Sequence, residues 1–185
     1  LLLILQYVRN NPIVTKTQIS EALGLSRPTV NYLLDELIQI NLLQYSGIGI
    51  PGPSGGKPPT LIKLNEKAGY ILGVSLSRKV TSLALSDLSG KIIDSTKFST
   101  KHLQGPESWY KKVKKHYDLL IKDKDITTPI IGAGIAITGL VDSQKGILTY
   151  SAQISEWVGV PIVKELTKIL RIPIYIEREA SAYAV

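Results

Sequence analysis

Five polar residues cluster where an amphipathic segment begins near residue 26. They are Ser26, Arg27, Thr29, Asn31 and Tyr32. Guanidinium, hydroxyl and amide groups pair with base edges in the major groove of DNA, and the free N–H groups at a helix N-terminus suit a phosphate. With Ser26 as an N-cap, the other four would lie near the start of a helix and point mostly outward. The cluster therefore predicts contacts with duplex DNA.

Two helices joined by a tight turn are expected to position that cluster. Thr15 or Thr17 is a candidate N-cap of the first helix, whose buried stripe is expected from Ile19, Ala22 and Leu23. Gly24 would supply the left-handed backbone that ends this helix. The second helix would bury Val30, Leu33 or Leu34, Leu37 and Ile38. These lengths are typical of a helix-turn-helix, and an ordinary helical hairpin with a solvated polar face is the alternative.

A Gly- and Pro-rich loop follows the two helices. It spans Gly47–Pro59 and lies between two short apolar segments, Leu42–Tyr45 and Thr60–Leu64. We expect a β-hairpin wing with Gly55, Gly56 and Lys57 at its tip, where Lys57 would contact a phosphate. A flexible interdomain linker is the alternative interpretation, because such loops are common. With a first helix at Leu1–Val8, residues 1–66 are predicted to form a winged helix-turn-helix domain.

Length, charge and composition limit the classes of function. The 185 residues carry a net charge of +7, 44% hydrophobic residues and no cysteine. They are long enough for two small domains, and they provide no disulfide or thiolate metal site. The sequence has no membrane-spanning apolar run and no recognisable signal peptide, which predicts a cytoplasmic protein without a membrane partner. His102 and His116 have no supporting pattern and are expected at the surface.

The positive charge lies mostly outside the predicted DNA-binding domain. Residues 65–185 contain seventeen Lys and Arg against twelve Asp and Glu. Eight of these lysines fall in Lys97–Lys124, largely on a helix predicted to start near Pro106. A solvated helix face is the expectation, and tracking of phosphates is the alternative.

The remainder of the chain alternates strands and helices. Short connections predict a three-stranded antiparallel meander from Tyr70–Ser77, Val80–Asp87 and Lys91–Thr96. The meander is followed by a helix, a strand, a helix and a strand at Pro106–Lys122, Ile130–Thr138, Pro161–Leu170 and Ile174–Glu177. This order predicts a mixed α/β domain over residues 67–185.

The order of these segments resembles the ROK family of repressors, open reading frames and kinases. Gly73–Ser95, Gly132–Asp142 with Gly146, and Ile174–Ala184 carry the resemblance, together with Trp157 before Pro161 and the wing sequence. The resemblance implies an actin/hexokinase-like ATPase fold, of which this chain would contain only the first lobe. The absence of methionine and an end inside an expected helix also predict an incomplete chain.

Departures from the kinase pattern indicate a regulator instead of an enzyme. In the family's phosphate loop, the Asp aligns with Ser75, the Gly with Ser77 and the Gly-Thr with Arg78-Lys79. Mg-ATP chemistry needs a carboxylate near the metal and glycines near the phosphates. The family's Asn-Asp pair, which binds the sugar and removes its proton, is replaced by Arg178-Glu179. The longer Glu179 side chain displaces the carboxylate by about 1 Å or more, a costly shift for catalysis.

We therefore predict a regulator, most simply a repressor of carbohydrate genes, that binds a double-stranded DNA operator as a homodimer. It would have no catalytic or metal-binding residue in this segment. The predicted effector-binding residues for a sugar or sugar derivative are Thr138, Gly139, Arg178 and Glu179. Arg178 suits an anion, and a surface pair with Glu177 or Glu179 is its alternative role. The resemblance places a zinc site in later residues. An active ROK-type sugar kinase and a ligand-independent DNA-binding dimer are the alternative functions.

Overall fold

A computed structural model describes residues 1–51, 56–103, 105–122 and 128–182. The chain divides into two units, Leu1–Ala68 and Gly69–Val185. The boundary lies two residues after the one predicted between residues 66 and 67. Gly55 of the predicted wing tip and Ala184 of the last resembling segment lie outside the described residues.

The first unit contains three helices and a small antiparallel sheet. In chain order its elements are α1 (Leu2–Asn10), β1 (Val14–Thr15), α2 (Lys16–Leu23), α3 (Arg27–Gln39), β2 (Leu43–Ile48) and β3 (Thr60–Leu64). The strand order is β1-β3-β2, so the predicted wing is an antiparallel hairpin extended by a two-residue strand that the sequence did not indicate. Three helices and this sheet enclose a core built from Ile4, Val8, Ile19, Val30, Leu34, Leu37, Leu43 and Ile62.

Capping determines where α2 begins and ends. The Thr15 side chain accepts a hydrogen bond from the backbone N–H of Gln18, whose side chain accepts one from the backbone N–H of Thr15. This capping box satisfies two N–H groups that the helix leaves without partners. Gly24 ends α2 with φ of 63°. The predicted buried stripe is only partly correct, because Ile19 is buried whereas Ala22 is exposed.

The second unit is a mixed sheet with helices on one face. Its elements are β4 (Tyr70–Leu76), β5 (Val80–Asp87), β6 (Ile92–Ser99), α4 (Gly105–Ile121), β7 (Ile130–Ile137), β8 (Leu140–Asp142), β9 (Ile147–Tyr150), a 3₁₀ turn (Ser155–Trp157), α5 (Ile162–Leu170), β10 (Ile174–Arg178) and α6 (Glu179–Ala182). The main sheet has the order β10-β7-β4-β5-β6. The meander β4-β5-β6 is antiparallel as predicted, and β7 runs parallel to both of its neighbours. The β8–β9 hairpin was not predicted.

Alternating side chains place the core of this unit on one face of the sheet. Leu72, Val74 and Leu76 are buried along β4, and α4 and α5 cover the same face. Trp109 of α4 is fully buried, and its Nε1–H donates to the buried Thr81 Oγ1 at 2.8 Å. Burying one such large apolar side chain contributes about 1.5–3 kcal/mol. No helix in the described part of the chain is long and apolar enough to cross a membrane.

Candidate nucleic-acid interface and effector site

The N-terminal turn of α3 is held by its own cap. Ser26 Oγ accepts from the Thr29 N–H at 3.3 Å and lies 2.8 Å from Thr29 Oγ1. Pro28 lies in the first turn, where a missing N–H leaves no helical bond unmade. Val30 and Leu34 are fully buried and anchor the opposite side of the helix. The cap and the core therefore fix the direction in which the outer face points.

All five residues predicted for DNA contact lie exposed at this turn. Arg27 and Asn31 are four residues apart and thus neighbours on one helical face, and Tyr32 beside them is 70% exposed. Within the described ranges, no ion pair occupies the Arg27 guanidinium. Ser26 and Thr29 are exposed too, but their hydroxyls are already hydrogen-bonded to each other. Arg27, Asn31 and Tyr32 are therefore the side chains free to meet an external partner.

A serine that sequence reasoning missed fixes the angle between α2 and α3. Ser20 Oγ donates to the Leu25 carbonyl at 2.6 Å, and the Leu25 N–H donates to the Ser20 carbonyl at 3.1 Å. Both bonds close the turn around Gly24. Serine inside a helix makes such local bonds readily, but the residue type alone does not say which carbonyl it reaches.

Lys57 belongs to the wing and not to the α3 cluster. It is exposed after the segment 52–55, and Gly49 N–H donates to the Pro59 carbonyl at 2.8 Å, extending the hairpin beyond Ile48 and Thr60. No hydrogen bond or ion pair among the described residues joins Lys57 to α3. The first unit therefore presents two separate exposed features, a helix end and a hairpin.

Two of the predicted effector residues meet in the second unit. Thr138 Oγ1 donates to Glu179 Oε2 at 2.7 Å, although the residues lie far apart in sequence. The contact arises because β7 and β10 are parallel and Ile137 pairs with Arg178, so their carboxyl ends lie side by side. Buried Ser151, which the sequence did not indicate, donates its hydroxyl to the Thr138 carbonyl at 2.9 Å. This arrangement orients a carboxylate at the sheet edge where α/β folds commonly bind ligands.

Gly139 allows the β8–β9 hairpin to lie close behind Thr138. Its φ is 143°, and an added Cβ would lie 2.4 Å from the Tyr150 carbonyl oxygen. Asp142 holds the tip of the same hairpin by accepting from the Lys145 N–H at 2.9 Å. That backbone hydrogen bond lowers the pKa of the Asp142 carboxyl. Gly139 and Asp142 therefore determine the shape of the β8–β9 hairpin that lies behind Thr138.

Arg178 is exposed at the end of β10. Its backbone N–H donates to Glu177 Oε1 at 2.8 Å. In the described part of the chain, no ion pair joins its guanidinium to Glu177 or Glu179, so the alternative of a surface pair is not observed. Arg178 directly precedes Glu179, so the end of β10 carries both a guanidinium and a carboxylate.

The loop that the family resemblance predicted to correspond to the kinase phosphate loop is a closed turn. Ser77 Oγ donates to the Val80 carbonyl at 2.9 Å, and the Ser77 N–H donates to the same oxygen at 3.2 Å. Thr100 Oγ1 donates to the Ser77 carbonyl at 2.8 Å. Phosphate loops instead direct free backbone N–H groups at the ligand. The described residues also contain no cluster of His, Asp and Glu able to hold a metal ion, so no zinc site is assigned to them.

Comparison with known proteins matches each unit separately. A family model described as winged helix-turn-helix DNA-binding matches residues 1–44. The model of the ROK family matches residues 71–185, which is more than half of the chain. The chain belongs to the ROK family. The resemblance inferred from Gly132–Asp142 and its companion segments is thereby confirmed.

Curated relatives of this ROK protein align along its whole length. The xylose repressor of Caldicellulosiruptor bescii is 30% identical over 100% of the chain and 46% of the relative. The xylose repressor of Bacillus spizizenii is 29% identical over 99% of the chain and 46% of the relative. The chain thus spans about half the length of the curated relatives it matches.

A solved structure confirms the fold. The crystal structure of a ROK family transcriptional regulator, a homologue of the Escherichia coli Mlc protein, matches with a TM-score of 0.75 and 17% identity. The match covers 98% of this chain and 45% of the other. The predicted mixed α/β fold, with an N-terminal helix-turn-helix domain before a kinase-like lobe, is therefore correct.

Proposed function

We propose that this ROK protein is a sequence-specific DNA-binding regulator that represses carbohydrate-utilisation genes. The observation that carries the proposal is the exposed N-terminal turn of α3, where Arg27 and Asn31 share one face above a buried apolar side. Arginine pairs with guanine and asparagine with adenine in the major groove. The names of the relatives, which are xylose repressors, support a repressing role and a response to a sugar.

Each residue of the DNA-binding set has its own proposed role. Arg27, Asn31 and Tyr32 would meet base edges, whereas Ser26 and Thr29 would keep the helix end in place and offer hydroxyls to the backbone. Lys57 would contact a phosphate from the wing. Contacts with the phosphate backbone position the protein, and contacts with base edges determine which sequence it prefers.

Selection from a random duplex pool, followed by gel-shift titration of the selected duplex, tests this assignment. Arg27→Ala and Asn31→Ala should each weaken binding by about 1–3 kcal/mol and relax preference at one position. Gln39→Ala, at the exposed C-terminal end of α3, is the matched control and should bind normally. Unchanged affinity and unchanged preference in both test variants would remove α3 from the proposed interface.

The proposed effector is a sugar or sugar derivative bound at the carboxyl ends of β7 and β10. Glu179, fixed by Thr138, would accept hydroxyl hydrogen bonds, and Arg178 would donate to hydroxyl or anionic oxygens. Xylose is the first probe, because the relatives are named for it. A ligand that binds only the folded state raises apparent stability. Thermal shifts with xylose should therefore disappear in Glu179→Gln and persist in Glu156→Gln, an exposed control.

The kinase-like unit is proposed to transfer no phosphate. Support comes from the closed Ser77–Val80 turn, whose hydrogen bonds are made internally, and from the absence of a carboxylate at position 75. A coupled ADP-release assay with a panel of sugars should give no turnover above background. Turnover that Glu179→Ala abolishes would instead establish the sugar-kinase alternative.

The proposed active form is a homodimer acting in the cytoplasm, where its operator lies. One recognition helix reads few base pairs, and two-fold dimers read two half-sites about one helical turn apart. Light scattering during gel filtration with the selected duplex should give two protein chains per duplex. An effector would change DNA affinity only if it binds the two states of the dimer unequally. Normal DNA binding without any sugar-dependent shift would favour the ligand-independent dimer.

A further inference from the structure

A concave surface lined by three lysines lies at the outer edge of the main sheet. It is an open depression of about 480 Å³ beside β6, the last strand in the sheet order. Its lining is Lys79, Val80, Lys97, Phe98, Ser99 and Lys101. No carboxylate lines it, and no ion pair in the described ranges occupies any of the three ammonium groups. We call this surface the basic groove.

Backbone pairing fixes the basic groove from distant parts of the sequence. Lys79 lies in the turn before β5, whereas Lys97 and Lys101 flank the end of β6. Val80 pairs with Ser99, and the Thr100 N–H donates to the Lys79 carbonyl at 3.0 Å. The Thr100 hydroxyl also donates a hydrogen bond to the carbonyl of Ser77, which lies in the turn before β5. The convergence of the three lysines is therefore built into the sheet and does not depend on a flexible loop.

The neighbouring helix adds further positive charge. Lys112 Nζ lies 5.6 Å from the centroid of the Phe98 ring, and that ring is tilted by 33° against the His116 ring with the centroids 4.8 Å apart. His116 is half-buried, and its Nδ1 forms a hydrogen bond with Thr96 Oγ1 at 2.8 Å. Its pKa is lowered by burial first, and then by the charges of Lys115 and Lys112. Lys112 thus adds a positive charge from the helix that packs beside β6.

Protection of the edge strand against aggregation explains only part of this charge. A lysine on an edge strand serves that purpose, and Lys97 is such a residue. Lys79 and Lys101 lie outside β6 and still line the same groove. A protein partner is also a poor fit, because the cores of protein interfaces are depleted in lysine. Flexible ammonium groups without acidic neighbours suit the phosphates of a nucleic acid backbone.

We propose that the basic groove binds the phosphate backbone of duplex DNA, adding sequence-independent affinity to the contacts of α3 and the wing. The inference rests on the proposed function and names a second contact that the helix-turn-helix does not provide. It also gives a role to the distribution of charge, since residues 69–185 hold sixteen Lys and Arg against eleven Asp and Glu. Residues 1–68 hold only six against four.

The salt dependence of DNA binding tests this proposal. The probe is the selected duplex extended by about one helical turn on each side, titrated by fluorescence anisotropy between about 50 and 200 mM salt. Each phosphate contact contributes about −0.9 to the slope of log K against log salt concentration. The triple variant Lys79→Gln, Lys97→Gln, Lys101→Gln should therefore reduce the magnitude of the slope by about 2–3 per bound chain, or by about 5 for the proposed homodimer.

Two controls separate the groove from total charge and from folding. Lys91→Gln, Lys122→Gln and Lys164→Gln together remove the same charge elsewhere in the second unit and should leave the slope nearly unchanged, because these exposed lysines lie outside the groove. The triple Lys→Arg variant of the groove should retain the parent slope. Circular dichroism melting should match the parent for every variant, because all six lysines are at the surface.

The outcomes distinguish this inference from the proposed function. Sequence-specific binding with a reduced slope only in the groove variant supports both. Sequence-specific binding with the parent slope in the groove variant contradicts DNA binding by the basic groove and leaves the α3 assignment intact. An equal loss of slope in both glutamine variants also overturns the groove, because net charge alone then explains the effect. Absence of specific duplex binding by the parent chain overturns the proposed function and the groove with it.

Discussion

Replacing Gly139 with alanine tests whether the close packing behind Thr138 is required. Gly139 has φ of 143°, and an added Cβ would lie 2.4 Å from the Tyr150 carbonyl oxygen. The unfavourable backbone costs about 1–3 kcal/mol, and overpacking adds about 1–3 kcal/mol. The reduced entropy of the unfolded chain returns about 0.4–1 kcal/mol. We therefore expect Gly139→Ala to lower the free energy of unfolding by about 1–5.5 kcal/mol.

Urea unfolding followed by tryptophan fluorescence measures this loss in the second unit alone. The only tryptophans are Trp109 and Trp157, which are both buried in that unit. With a urea dependence of about 2 kcal/mol per molar, the midpoint should fall by about 0.5–3 M.

Gly134→Ala is the matched control, because no atom lies within 4 Å of its added Cβ. Its free energy of unfolding should equal that of the parent or exceed it by up to about 1 kcal/mol, because alanine reduces the entropy of the unfolded chain. Equal midpoints for the two variants would refute the argument that Gly139 is required by its backbone and neighbours.

Three further substitutions test separate parts of the structure. Ser26→Ala should destabilise the first unit by about 1 kcal/mol by removing the α3 cap, shifting unfolding by circular dichroism but not by tryptophan fluorescence. Tyr110→Phe should leave the second unit as stable as the parent or up to about 1 kcal/mol more stable, because the buried hydroxyl has no partner among the described residues. Burial also raises the pKa of Tyr110 to about 12. A clear loss of stability in urea would show that the hydroxyl has a partner. Asp142→Asn should reduce stability at neutral pH, since a carboxyl with a lowered folded-state pKa stabilises most above its ordinary value of 3.8. The gap between parent and variant should close as the pH falls from 3.8 through the folded-state value, and a gap independent of pH would contradict this.

Local rules were sufficient for most of the first unit. Caps and helical periodicity act over a few residues, so Ser26, Gly24 and the buried side of α3 follow from the sequence. The failure at Ala22 has a simple cause, because spacing shows which residues share a face but not how far the neighbouring elements cover it. The two-residue strand β1 is too short for any periodic signal, and its pairing with β3 decides its structure.

The effector region was less accessible to sequence reasoning. Family resemblance pointed to Thr138 and Glu179, but their hydrogen bond depends on the parallel register of β7 and β10. Ser151 was missed because a serine after a strand has no distinctive pattern. The basic groove likewise follows from pairing between Val80 and Ser99, which brings lysines of separate segments together.

Thr15 belongs both to the wing sheet and to the helix-turn-helix. It pairs with Leu61 of β3 and at the same time caps α2. The hairpin also packs on α1 and α2 through β3, and Ser20 closes the turn between α2 and α3. We therefore expect α3 and the wing to keep a constant separation when the protein binds DNA. Every bound sequence should show the same base-pair offset between the bases read by α3 and the phosphate protected by the wing in hydroxyl-radical footprints.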